Sequence, residues 1–104
     1  MEQKEFEIKG YKFRIAKMNA IDVLAFRTQL KSETYDETET LFNNILEHIE
    51  VCFEGKWFPV KEKNKNNFMP ACVEDDLELV DKLIGYFTKD FLMEVFQKYR
   101  ESKA

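Results

Sequence analysis

Residues 6–30 read FEIKGYKFRIAKMNAIDVLAFRTQL, and the fold turns on how they are read. Two runs of alternating apolar and polar residues meet at Lys9 and Gly10, and the spacing becomes helical after Asn19. Phe6 and Ile8 share one face of a first strand, Phe13 and Ile15 share one face of a second, and the Lys-Gly pair supplies the turn. A two-stranded hairpin is marginal in water, so its apolar face requires a helix beneath it. Asn19 suits an N-cap, because its side-chain oxygen accepts from a free backbone N–H, and Asp22 in the first turn complements the helix dipole. The spacing predicts a helix over about residues 20–31 that buries Ile21, Leu24, Ala25 and Phe26.

Downstream, the polar residues 32–36 interrupt the periodicity. Leu41, Phe42, Ile45, Leu46, Ile49, Cys52 and Phe53 then recur at three- and four-residue steps, the stripe of a second helix running to Phe53 with Gly55 as its C-terminal cap. KWFPV follows, an edge strand or an irregular segment, since Pro59 cannot donate to a ladder. Residues 61–67, KEKNKNN, have the composition of a solvated loop. After Pro70, the acids Glu74, Asp75 and Asp76 mark a helix N-terminus, and the third helix turns Leu77, Val80, Leu83, Ile84 and Phe87 inward. Gly85 and Thr88 weaken it, so Thr88 is expected to cap a fourth helix carrying Phe91, Leu92, Val95, Phe96 and Tyr99. The expected fold is mainly α: a small N-terminal β-hairpin (residues 1–18) packed on three to four helices (residues 19–104), in one domain of 104 residues.

Composition narrows the function. A chain this short supports one modest core, and its 44% hydrophobic content with ten Phe fills that core without disulfides or metal. Sixteen Lys and Arg against twenty Asp and Glu leave a net charge of −4, a field that opposes polyanions, so nucleic-acid binding is not expected. Cys52 and Cys72 make no disulfide framework and read as reduced, small core residues. No run is long and apolar enough for a bilayer and no secretory leader is evident, so a cytoplasmic, membrane-free protein is expected.

Motifs that carry chemistry are scarce. His48 and Cys52, four apart on the expected second helix, would share a face as a metal pair or a catalytic dyad, but neither a full ligand set nor an orienting third group accompanies them. Glu74, Asp75 and Asp76 point in different directions on a helix and are explained by its dipole. The three glycines are isolated, so no phosphate-binding loop exists. No catalytic residue, metal site or cofactor is therefore expected. Trp57, Phe58 and Met69, flanking the polar loop, and Phe91, Phe96 and Tyr99 on the last helix are the candidate partner-binding residues, as aromatic and Met side chains anchor interfaces. The hairpin residues Phe6, Ile8, Phe13 and Ile15 are candidates for oligomerisation through exposed strand edges.

Residues 13–30, FRIAKMNAIDVLAFRTQL, form a strand ending in a basic-Met-small-acidic junction that opens a helix. This junction, with the stripe over residues 41–53, the WFPV segment and the C-terminal helical pattern, resembles the tail assembly chaperones of long-tailed bacteriophages and prophages. The resemblance implies a non-enzymatic protein that coats the tape measure protein, keeps its apolar stripe from aggregating and helps recruit subunits of the major tail protein. It also implies action in the host cytoplasm and absence from the mature virion, with a longer frameshifted form often made alongside. The alternatives are a tail-completion subunit or an inhibitor of a host protein.

Overall fold

A computed structural model describes residues 4–29, 35–94 and 97. Four strands, β1 (Glu5–Ile8), β2 (Tyr11–Ile15), β3 (Ile49–Phe53) and β4 (Lys56–Pro59), form one antiparallel sheet in the order β1-β2-β3-β4. Helices α1 (Ala20–Gln29) and α2 (Tyr35–Glu47) connect β2 to β3. After β4 come a 3₁₀ turn (Ala71–Asp75), α3 (Leu77–Gly85) and a π-helical segment (Tyr86–Leu92). The protein is thus mixed α and β, a four-stranded sheet with helices on one face. The expectation of a mainly α bundle carrying an N-terminal hairpin is wrong.

Residues 49–53 form a strand where periodicity suggests a helix. The apolar stripe of α2 runs on in helical register through Ile49, Cys52 and Phe53, but the same five residues, IEVCF, also alternate. As a strand they place Ile49 and Val51, both fully buried, on the core face with Phe53. The helix stops at Glu47 because its last carbonyls find other donors. His48 N–H donates to Ile45 O at 3.0 Å and Lys61 N–H to Leu46 O at 3.2 Å. The His48 ring bonds to Asn44 O through Nδ1 at 2.8 Å. Gly55 is no helix cap. With Glu54 it forms the two-residue turn of a second hairpin, both residues at positive φ, +51° and +78°. Lys9 and Gly10, at +53° and +82°, form the same turn between β1 and β2, as the sequence suggests.

Register carries one row of side chains, Phe6, Phe13, Val51 and Phe58, across the core face of all four strands. The C-terminal helical stretch covers it at Phe6, whose ring stacks on Tyr86 at 3.8 Å, and that stretch meets α1 where Phe26 packs edge-on against Phe87 at 4.9 Å. Glu5, Glu7, Lys12, Arg14, Glu50, Cys52 and Trp57 alternate onto the opposite face.

The helices depart from expectation in phase. Asn19 does cap α1, its Oδ1 accepting from Asp22 N–H at 2.9 Å while Asp22 Oδ2 accepts from Asn19 N–H at 3.3 Å. Yet α1 buries Val23 and Phe26, leaving Ile21 and Leu24 77% and 51% exposed and Ala25 outside. Apolar residues surround this helix on every side, so periodicity selects no face. Leu77 also points outward, and Leu79, Leu83 and Phe87 form the buried side of the last helical stretch. Nor does the chain break at Thr88, whose hydroxyl donates back to Ile84 O at 2.9 Å instead of capping a new helix. The π turn widens the spiral instead, bringing Phe87 and Leu92, five residues apart, into the core together. Val95, Phe96 and Tyr99 lie outside the described residues.

Candidate partner-binding groove

Residues 60–71 return to the body of the protein at both ends. Val60, fully buried, donates to Ile49 O at 2.8 Å, and Met69 N–H donates to Val60 O at 2.8 Å. Between them Lys61 bridges to Phe68, Glu62 N–H donates to Asn67 O at 3.0 Å, and Lys65 N–H donates to Glu62 O at 3.2 Å. The polar composition that predicts a solvated loop describes residues 62–67, which are exposed. Lys61 is buried at 6% exposure, its Nζ 4.0 Å from Glu47 Oε1 and 3.4 Å from Glu62 O. Nothing in KEKNKNN distinguishes that lysine from its neighbours; position after a buried valine is the signal available.

This excursion sets Phe68 and Met69 beside Phe58 of β4. Together with Pro59 and Ala71 they form the apolar part of an open groove of about 710 Å³, and Glu62, Asn66, Asn67 and Glu74 line its polar part. Phe58 and Phe68 are half-buried and pack on the core, whereas Met69 is 36% exposed. Two of the sequence candidates, Phe58 and Met69, therefore meet at one site. Phe68, Glu62 and Glu74 join them there, and sequence spacing does not indicate it.

Trp57 goes elsewhere. Strand alternation turns it to the sheet's other face, opposite Cys52, with the Arg14 guanidinium 4.2 Å from its ring centroid and Arg14 Nε 2.7 Å from Glu50 Oε1. Phe91 is half-buried against the core, its ring 5.6 Å from Phe87. The hairpin side chains also serve the interior, with Phe13 and Ile15 buried and Phe6 and Ile8 packed on the core. β3 covers the inner edge of the hairpin, so among the described residues β1 and β4 are the two edge strands of the sheet.

A smaller polar cleft of about 380 Å³ is lined by Thr40, Asn43, Asn44 and Glu47 of α2, by His48 just after it, and by Lys61, Lys63 and Asn64. The His48 and Phe26 rings here stand nearly perpendicular with centroids 5.1 Å apart, and Cys52 belongs to the next strand, so the helical pairing expected of His48 and Cys52 does not form. Among the described residues no three His, Cys, Asp or Glu side chains gather as a metal cage requires, and no helix is long and apolar enough to cross a membrane.

Beside α3, Asp76 is the N-cap, and its Oδ1 accepts from Leu79 N–H at 3.1 Å. That bond and the Lys9 ammonium, 3.1 Å away, hold the Asp76 carboxyl below its ordinary range. Glu78 is held low by Lys82 and Lys9, and Lys9 is raised in turn by Asp76. This cluster ties the first hairpin turn to the start of α3. No protein family, curated protein or solved structure matches this chain.

Proposed function

We propose that the protein is a non-enzymatic binding protein of the tail assembly chaperone type, which shields apolar helical segments of a tape measure protein and helps recruit major tail protein subunits in the bacterial cytoplasm. The observation that carries the reading is the Phe58, Phe68 and Met69 groove, an apolar surface on a small acidic domain whose rim bears carboxylates and amides. The resemblance over residues 13–30 supports it as well. The strand-to-helix junction quoted for that resemblance is formed by β2, the Asn19 cap and α1, although residues 49–53 do not extend the second helix.

Co-expression with the long helical protein encoded immediately downstream tests the proposal, read by size-exclusion chromatography with light scattering. A soluble complex with several copies of this chain, where the partner alone precipitates, is the expected outcome. If the partner still precipitates and the chain elutes by itself, the proposal fails. Mass spectrometry of purified particles separates a chaperone, absent from them, from a tail-completion subunit, which remains.

A further inference from the structure

Four features of the groove define what it takes. Its apolar part is supplied by Phe58, Phe68 and Met69, and its lining holds two carboxylates, Glu62 and Glu74, with no lysine or arginine. The nearest ion pair on the rim, Glu62 to Lys65 at 3.6 Å, joins two exposed side chains, and such a pair is weak enough for a competing cation to displace. The chain's net charge of −4 has the same sign as the rim. An incoming segment therefore gains by presenting apolar side chains flanked by positive charge.

The neighbouring strand decides the shape of that segment. Val60 N–H bonds to Ile49 O and Val51 pairs with Phe58, so residues 56 and 58 turn their backbone groups towards β3, while Val60 gives its N–H to β3 and its carbonyl to Met69. The open edge of β4 then belongs to Trp57 and Pro59, and proline has no N–H. Over its length β4 offers an incoming strand one donor, from Trp57, too few to template a ladder. The groove itself, about 710 Å³ and open to solvent, has room for side chains projecting from a helix.

We infer that the groove binds one face of an amphipathic helix from a partner chain, with leucine-like side chains on Phe58, Phe68 and Met69 and lysine or arginine flanks against Glu62 and Glu74. The inference rests on the binding-protein reading above and specifies the partner's chemistry.

The test uses the full chain and fluorescently labelled 18-residue peptides, with binding followed by anisotropy. One peptide is an amphipathic helix with a leucine stripe flanked by lysines; a second has every lysine replaced by glutamate; a third has the same composition in a strand-forming alternation. The protein variants are Met69→Glu and the double variant Glu62→Lys with Glu74→Lys, all at exposed positions, each checked for an unchanged circular dichroism melt. The basic helix is expected to bind at least tenfold tighter than the acidic one. Met69→Glu should weaken it at least tenfold, and the double variant should reverse the charge preference. Equal affinity for basic and acidic helices overturns the inference, as does indifference to Met69→Glu or equal binding of the strand-forming peptide. Self-association of the free chain that Met69→Glu abolishes overturns it too, by making a second copy the occupant. The two proposals fail separately. If both variants still solubilise the downstream partner, the groove assignment falls and the chaperone reading stands; if wild-type protein binds the basic helix but solubilises nothing, the reverse holds.

Discussion

Replacing Val51 with alanine distinguishes the sheet from the helix that periodicity suggests for residues 49–53. Val51 is fully buried and stands third in the row Phe6, Phe13, Val51, Phe58, with strands on both sides. Removing two carbons forfeits about 1.6 kcal/mol at roughly 0.8 kcal/mol per buried carbon. A residual void of roughly 40 Å³ adds about 1 kcal/mol at some 24 cal/mol per Å³, because a tightly packed site collapses incompletely. Loss of β-branching in a central strand contributes a few tenths more, for a total of about 3 kcal/mol. On a helix, Val51 would lie off the apolar stripe, and alanine there would be neutral or stabilising. The two structures therefore predict opposite signs. Urea denaturation followed by far-ultraviolet circular dichroism reads the difference. With a denaturant slope of about 1–2 kcal/mol per molar, the midpoint should fall by about 1.5–3 M with the slope unchanged. Cys52→Ala, on the open face, should cost under about 1 kcal/mol. A Val51→Ala loss below about 0.5 kcal/mol, or a larger loss at Cys52, would refute the sheet assignment.

The phase of α3 predicts that Leu79→Ala costs about 2–5 kcal/mol, while Leu77→Ala stays within about 0.5 kcal/mol, measured by the same denaturation. The Asp76 carboxyl is held low by the Leu79 N–H and Lys9, so its contribution to stability is present above the ordinary carboxylate range and is lost as pH falls through its lowered folded value. Acid titration of stability should therefore flatten in Asp76→Asn relative to the wild type. Lys9 is raised, chiefly by its bond to Asp76, so its contribution holds below the ordinary lysine value and fades as pH rises through the folded one. Lys9→Met should remove that alkaline loss, seen as convergence of the two stability curves at high pH. Arg14→Ala uncovers the Trp57 ring on the open face of the sheet, so its fluorescence should shift to longer wavelength and quench more readily with acrylamide; unchanged quenching would count against the stacked geometry.

Legibility in the sequence divides by the kind of information required. Hairpin one, its Lys9-Gly10 turn and the Asn19 cap are local: two-residue alternation, a glycine that tolerates positive φ and a side chain that reaches its own backbone are all visible within a few residues. The polar character of residues 62–67 and the N-terminal position of the acids before α3 are equally local. Of the groove, Phe58 and Met69 are visible as apolar residues beside a polar loop.

Packing between distant segments settles which of two compatible patterns a segment adopts and which face it buries. IEVCF satisfies both a helical and a strand period. It becomes β3 because β2 and β4 supply the ladder on both sides and donors from His48 and Lys61 end α2. Strand pairing then sends Trp57 and Phe58 to opposite faces, which separates two candidates that are adjacent in sequence. The burial of Lys61, the outward turn of Ile21, Leu24 and Leu77, and the presence of Glu74 and Phe68 in one groove follow from how elements pack. Hydrogen-bond satisfaction and burial are properties of pairs of segments distant in sequence, and no local pattern encodes the choice between them.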